Sequence, residues 1–149
     1  MFNLVYKSVA NSLSPAQIDE ILVESRNFNG KHDITGCLIY HDGFFIQYLE
    51  GNVYVVSTLF EKIRVDARHY EVILLSKGSI YTREFDTWNM AYLSNNLPNE
   101  AFQYIKLMVN PEFEIPNMSV VPNPTSKRFW LAAKLLLNKI GHENFNKER

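Results

Sequence analysis

The sequence predicts an α+β fold of element order β-α-β-β-α-β-β, with two helices on one face of a sheet, followed by a C-terminal extension of two further helices. Three observations carry this. Apolar residues alternate with polar ones at the start, as in a half-buried strand. Two later segments repeat apolar residues at helical spacing behind recognisable capping residues. Between them, two apolar runs flank an Asp-Gly pair, the signal of a tight hairpin.

Phe2, Leu4 and Tyr6 share one face of the first strand, so Tyr6 points to the core side. Ser14-Pro15-Ala16-Gln17 supplies an N-cap serine, a proline at the first helical position and a glutamine to complete a capping box. The stripe of that helix runs Ile18, Ile21 and Leu22, then turns polar at Ser25 and Asn29, with Gly30 as the expected stop. Ile34 to Tyr40 and Phe44 to Leu49 read as antiparallel strands about His41-Asp42-Gly43. Phe45, Gln47 and Leu49 fall on one face, which sets an amide among large apolar neighbours. Gly51-Asn52 opens a second helix with Val56, Leu59, Phe60 and Ile63 on its stripe, and an adjoining stripe of Val55, Leu59, Lys62 and Asp66. Val72 to Ser76 and Phe85 to Tyr92 complete the strands. Right-handed crossovers place both helices on the same face.

Beyond Tyr92, Pro98-Asn99-Glu100 starts a short helix to about Val109, and Pro111, Pro116, Pro122 and Pro124 mark an irregular connector. A last helix is expected from Ser126 to Ile140, apolar on more than one side, with Gly141 as its stop and a polar tail from His142 to Arg149. The expected division is a domain over 1–92 and a helical extension over 93–149.

Composition narrows the function. A net charge of -1 offers no basic surface for nucleic acid or anionic lipid. The single Cys37 cannot form an internal disulfide, no signal peptide is evident, and the most apolar run, Phe129 to Leu137, contains Lys134 and falls far short of the roughly 20 residues of a membrane span. A cytoplasmic protein is the expectation. Hydrolase, Walker-type, dinucleotide and zinc-protease motifs are absent. His32 and His41, beside Asp33 and Asp42, read as solvated loop residues, so no metal is expected. What remains is a polar set drawn from two strands, two helices and a helix exit: Tyr6, Asn29, Gln47, Lys62, Asp66 and His69. Each has a purely structural reading, for instance Lys62 and Asp66 as an i, i+4 ion pair. Gathered in one cleft, they would suit a planar ligand rich in carbonyls and ring nitrogens, because a buried amide without a partner costs about 1–3 kcal/mol.

Six segments then match a known pattern in order and spacing: Leu4-Val-Tyr6-x-Ser8, Ile21-Leu22-x-x-Ser25-Arg26, Ile34-Thr35-Gly36-x-Leu38, Phe45-x-Gln47-x-Leu49-Glu50-Gly51, Asp66-x-Arg68-His69 and Trp88-x-Met90. Over about 90 residues the chain resembles the BLUF (blue light using flavin) domain. The resemblance implies a ferredoxin-like domain holding a flavin noncovalently between its two helices, usually FAD, with FMN or riboflavin as alternatives. It implies that Tyr6 is the phototriggered electron and proton donor and Gln47 the switching amide whose rotation or tautomerisation red-shifts the flavin. Asn29 would bind the carbonyl edge of the ring. Lys62, Asp66 and His69 would lie near the flavin or its ribityl chain, with Arg26 and Arg68 as further contacts and Trp88 and Met90 as the signal relay. Phe28 and Lys62 depart from the pattern, where many relatives carry asparagine and often arginine; a lysine cannot reproduce a bidentate guanidinium contact.

The resemblance implies a short, non-enzymatic photoreceptor that acts by binding a downstream regulator protein, as a homo-oligomer. The alternatives are an acylphosphatase-like hydrolase, for which Val9 to Leu13 is not a convincing anion cradle, and a flavin-free interaction module. The last helix is expected either to cover the helix-free sheet face or to join protomers or a regulator.

Overall fold

The computed structural model describes residues 1–85, 89–94 and 124–147. Five strands form one sheet in the order β4-β1-β3-β2-β5: β1 Phe2–Ala10, β2 Thr35–His41, β3 Phe44–Gly51, β4 His69–Ser79 and β5 Ala91–Ser94. The helices are α1 Pro15–Lys31, α2 Val53–Arg64 and α3 Pro124–Lys147. β1 runs antiparallel to both β3 and β4, and β5 pairs parallel to β2. Tyr6 therefore lies directly opposite Gln47 across the central pair of strands.

Local chemistry builds the elements as expected. Ser14 accepts from the Gln17 backbone N–H at 3.3 Å while Gln17 Oε1 accepts from the Ser14 N–H at 2.8 Å, closing the capping box ahead of Pro15. Asp42 and Gly43 take positive φ values of 50° and 78°, the hairpin geometry that matches strand twist. Gly36 is required where β2 meets β3, because a Cβ there would stand 2.1 Å from the Tyr48 carbonyl oxygen. At the start of α2, Asn52 Oδ1 accepts from the Tyr54 and Val55 N–H groups at 2.9 and 3.4 Å. Asn52→Ala should cost about 1 kcal/mol in urea unfolding and Asn52→Asp close to nothing; an alanine variant of unchanged stability would show that this cap contributes nothing.

The sheet has two buried faces. Leu4, Tyr6, Leu38, Phe45 and Leu49 join Ile18 and Leu22 of α1 and Val56 and Phe60 of α2 in one core, so both crossover helices lie on the same face. Val5, Cys37, Ile39, Ile46 and Tyr48 form the other core with Phe85 and with Phe129, Ala133 and Leu136 of α3. The last helix thus covers the face that carries no other helix among the described residues.

Several boundaries differ from the sequence expectation. Gly30 does not stop α1, which continues to Lys31; the chain turns at Asp33, whose φ is 53°, and Ile34 N–H reaches back to Asn29 O at 3.0 Å. β4 spans His69–Ser79 rather than Val72 to Ser76, since backbone pairing with β1 continues where the side chains are exposed. β5 begins at Ala91, not Phe85, and continues past the expected domain limit to Ser94. α3 passes through Gly141 to Lys147, so neither the glycine stop nor the tail from His142 holds. His41 is a buried strand residue, not a solvated one. The expected helix from Pro98 and Trp88 lie outside the described residues.

Candidate functional site

A cleft of about 490 Å³ opens between α1, α2 and the sheet, a size within the usual range of small-molecule sites. Ile21 and Phe28 of α1 and Leu59 and Ile63 of α2 form its walls, and Leu38 and Phe45 belong to its floor. Tyr6, Asn29, Gln47, Lys62, Asp66, Arg68 and His69 all line it. Arg26 does not line the cleft; its Nε donates to the Met90 carbonyl at 3.3 Å.

The polar groups on the sheet and α1 are deeply buried. The Tyr6 hydroxyl donates a short hydrogen bond to Gln47 Oε1. Gln47 Nε2 then faces the Met90 sulfur at 3.6 Å, and a thioether is only a weak acceptor. Burial, followed by the charge of Asp66, raises the Tyr6 phenol far above its usual range. Its proton therefore stays in place through any physiological pH. Asn29 is 1% exposed; its Nδ2 donates to the Asn89 carbonyl at 2.7 Å, while its Oδ1 is buried with no hydrogen-bond partner among the described residues.

Charged groups gather where α2 ends. Asp66 lies beyond α2 and pairs with Arg68 at 2.7 Å rather than with Lys62, so the purely structural reading of the two as an i, i+4 ion pair does not hold. The Arg68 side chain holds the Asp66 carboxyl below the usual carboxylate range, and a further bond at 3.1 Å ties Arg68 to Glu24 of α1. Arg68 thereby ties α1 to the turn that follows α2. Lys62 makes no ion pair among the described residues, and its Nζ stands 5.8 Å from the centroid of the Phe28 ring. His69 Nε2 donates to the Ile63 carbonyl, and its Nδ1 lies 2.7 Å from Ser8 Oγ.

Met90 sits beside Gln47, as a relay residue would, but it precedes β5. It therefore stands outside β5, in a stretch that the sequence expectation placed within the strand from Phe85 to Tyr92. The sequence reading did not single out Phe28 as cleft wall or Glu24 as the partner of Arg68. Phe28 was legible from its place one residue from Asn29; the Glu24–Arg68 pair joins segments distant in sequence and left no local trace.

The buried Asn29 oxygen requires an N–H donor, and the neighbouring wall is apolar and wide enough for a flat ring. A flavin ring edge offers both an N–H and carbonyl groups, so the residues present fit it. Fold and cleft together define a domain suited to binding a flavin. The family model described as BLUF, sensors of blue-light using FAD, matches residues 1–91, and the chain belongs to that family. BlsA in its photo-activated state is similar over most of both chains, with 32% identity, a TM-score of 0.66 and coverage of 88% of this chain and 92% of that one. BlrB in its dark state shares 34% identity at a TM-score of 0.61, over 62% of this chain and 71% of that one. Among curated relatives, the photoactivated adenylate cyclase subunit alpha of Euglena gracilis is 30% identical over 87 residues, 57% of this chain but 8% of its own length. The antirepressor BluF of Escherichia coli K12 is 32% identical over 73 residues, 48% of this chain and 18% of its own length. The chain thus matches only a small part of the first curated relatives. It is a BLUF flavin-binding blue-light photoreceptor domain, and neither the hydrolase nor the flavin-free reading is favoured. No helix among the described residues is long and apolar enough to cross a membrane.

Proposed function

We propose that Tyr6 and Gln47 are the photoactive pair of this receptor, and that the chain signals by binding a regulator protein rather than by catalysis of its own. When bound, the flavin supplies blue-light absorption and, once excited, an oxidant for a phenol. The observation that carries the reading is the buried Tyr6–Gln47–Met90 chain of contacts. Because the Tyr6 proton is held so firmly in the ground state, it leaves only together with an electron, and Gln47 Oε1 is the atom placed to receive it. Returning electron and proton restore Tyr6. Reversal of the Gln47 amide exchanges the bond it accepts from the Tyr6 hydroxyl for one that Nε2 donates to the Tyr6 oxygen, and forfeits the weak contact to the Met90 sulfur.

Asn29 would hold the ring edge through its Oδ1, Phe28 and Ile63 line the cleft that would take the ring, and Lys62, which makes no ion pair among the described residues, would meet an anionic tail. Arg68, Asp66 and His69 shape the cleft beside it, with Arg68 tied to both Glu24 and Asp66. FAD is the expected cofactor, with FMN as a substitute where the tail contacts are few. The regulator and a homo-oligomeric state are part of the proposal.

Absorption before and after blue light tests it. The wild type should show a flavin spectrum that shifts to the red and recovers in the dark. Gln47→Leu, close in size, should keep the flavin and lose the shifted state entirely; a normal photocycle in this variant would sink the assignment.

A further inference from the structure

Although Arg26 lies outside the cleft lining, it is bound to the cleft's neighbour. α1 delivers two side-chain N–H groups, one turn apart, to consecutive carbonyls: Asn29 Nδ2 to Asn89 O at 2.7 Å and Arg26 Nε to Met90 O at 3.3 Å. The same Met90 presents the sulfur that faces Gln47. The approach is close, since a Cβ at Gly30 would stand 3.3 Å from Asn89 Nδ2. The next residue, Ala91, opens β5, a strand of only 4 residues whose one strand partner among the described residues is β2. A short strand with a ladder on one side opens at low free energy, so contacts just upstream weigh heavily on whether it stays docked.

We propose that Arg26 is a positioning residue of the photoresponse: with Asn29 it latches the Asn89–Met90 segment to α1 and sets how far a change at Gln47 is passed to β5. The inference rests on the Tyr6–Gln47 reading above. In the present arrangement three side chains hold the segment, two by its backbone and one by the Met90 sulfur. A Gln47 amide that turns its oxygen toward that sulfur replaces an N–H···S contact with two facing acceptors, and Met90 is pushed away. The Arg26 and Asn29 bonds are then the remaining restraint. Loss of Arg26 leaves that restraint weak even in the dark.

Amide hydrogen exchange of the full-length protein, read on a peptide covering 89–94 in the dark and under blue light, tests this beside the absorption spectrum. The wild type should exchange faster in the light. Arg26→Ala should retain flavin and the red shift, yet its dark exchange should rise by about two- to tenfold, the range expected for one modest hydrogen bond, so that the light-minus-dark difference shrinks. Arg26→Lys, which keeps a cationic donor for a carbonyl, should recover part of that difference. A wild-type-sized difference in Arg26→Ala overturns the latch, whether or not both states shift together, because a merely structural residue would move both equally. Loss of the red shift in Arg26→Ala overturns it as well, by placing the residue in the photochemical site. A red-shifting wild type without an exchange difference at 89–94 also overturns the latch, whereas a wild type with no red shift removes the photoswitch reading itself.

Discussion

Tyr6→Phe should give a yellow, folded protein whose spectrum does not move under blue light. The phenyl ring keeps the packing of Tyr6 against Phe60, whose ring centroids are 5.5 Å apart, so the cleft floor and flavin binding survive. What disappears is the one hydroxyl bonded to Gln47 Oε1, and with it the group that can release an electron and proton together. The shifted state should vanish altogether rather than diminish. Thermal stability should fall modestly, by about 1–3 kcal/mol at most, since Gln47 Oε1 is left buried without a donor. Difference absorption spectroscopy on the flavin-loaded variant reads the first effect and urea unfolding the second. A red shift of wild-type size in Tyr6→Phe would assign the donor to another residue.

Glu50→Leu should prevent stable folding. Glu50 is fully buried, on the sheet face opposite Gln47, and each of its carboxylate oxygens accepts two hydrogen bonds. Thr35 Oγ1 and the Phe85 N–H reach Oε1 at 2.8 Å each; the Glu84 N–H and Tyr48 hydroxyl reach Oε2 at 2.8 and 3.0 Å. Leucine fills the space but strands all of these donors. The hydroxyls can turn elsewhere, whereas the backbone N–H groups of Glu84 and Phe85 can find water only if the segment lifts off the sheet. At about 1–3 kcal/mol for each of the two orphaned backbone groups, the loss is about 2–6 kcal/mol, which at its upper end matches the whole stability of a marginal domain. Glu50→Gln, which keeps the shape and one acceptor oxygen, should fold with reduced stability and retain a full red shift, because Gln47 and Tyr6 lie on the other face. Urea midpoints of the two variants, beside the spectrum of the glutamine one, check both parts; a Leu variant as stable as the wild type would show that the network contributes nothing.

The same network explains why one end of β5 was misplaced. Phe85 continues an apolar pattern toward Tyr92 and reads as strand, but its N–H is taken by the Glu50 carboxylate instead of by a neighbouring strand. Glu50 itself stood in view as a lone charge in the apolar run from Phe44 to Leu49, but its donors come from β2, β3 and a segment more than thirty residues away. Nothing in local spacing names them. Gly30 was an acceptable stop by composition; the turn is decided three residues later, where Asp33 adopts positive φ and the Arg83 guanidinium binds its carbonyl at 2.9 Å and its carboxylate at 3.0 Å.

The sequence by itself determined the N-terminal caps of α1 and α2, the hairpin turn and the faces of β1 and β3, and so the meeting of Tyr6 with Gln47. These depend on periods of two and 3.6 residues and on side chains bonding to backbone within one turn, all short-range. Only the tertiary structure decided that the Met90 sulfur faces Gln47, that Arg26 turns away from the cleft to the Met90 carbonyl, that Asp66 pairs with Arg68 rather than Lys62, and that α3 closes the second face. Each of these depends on which distant group a buried polar atom or apolar face meets once the strands are in register, and an intrinsic pattern of spacing carries no record of that choice.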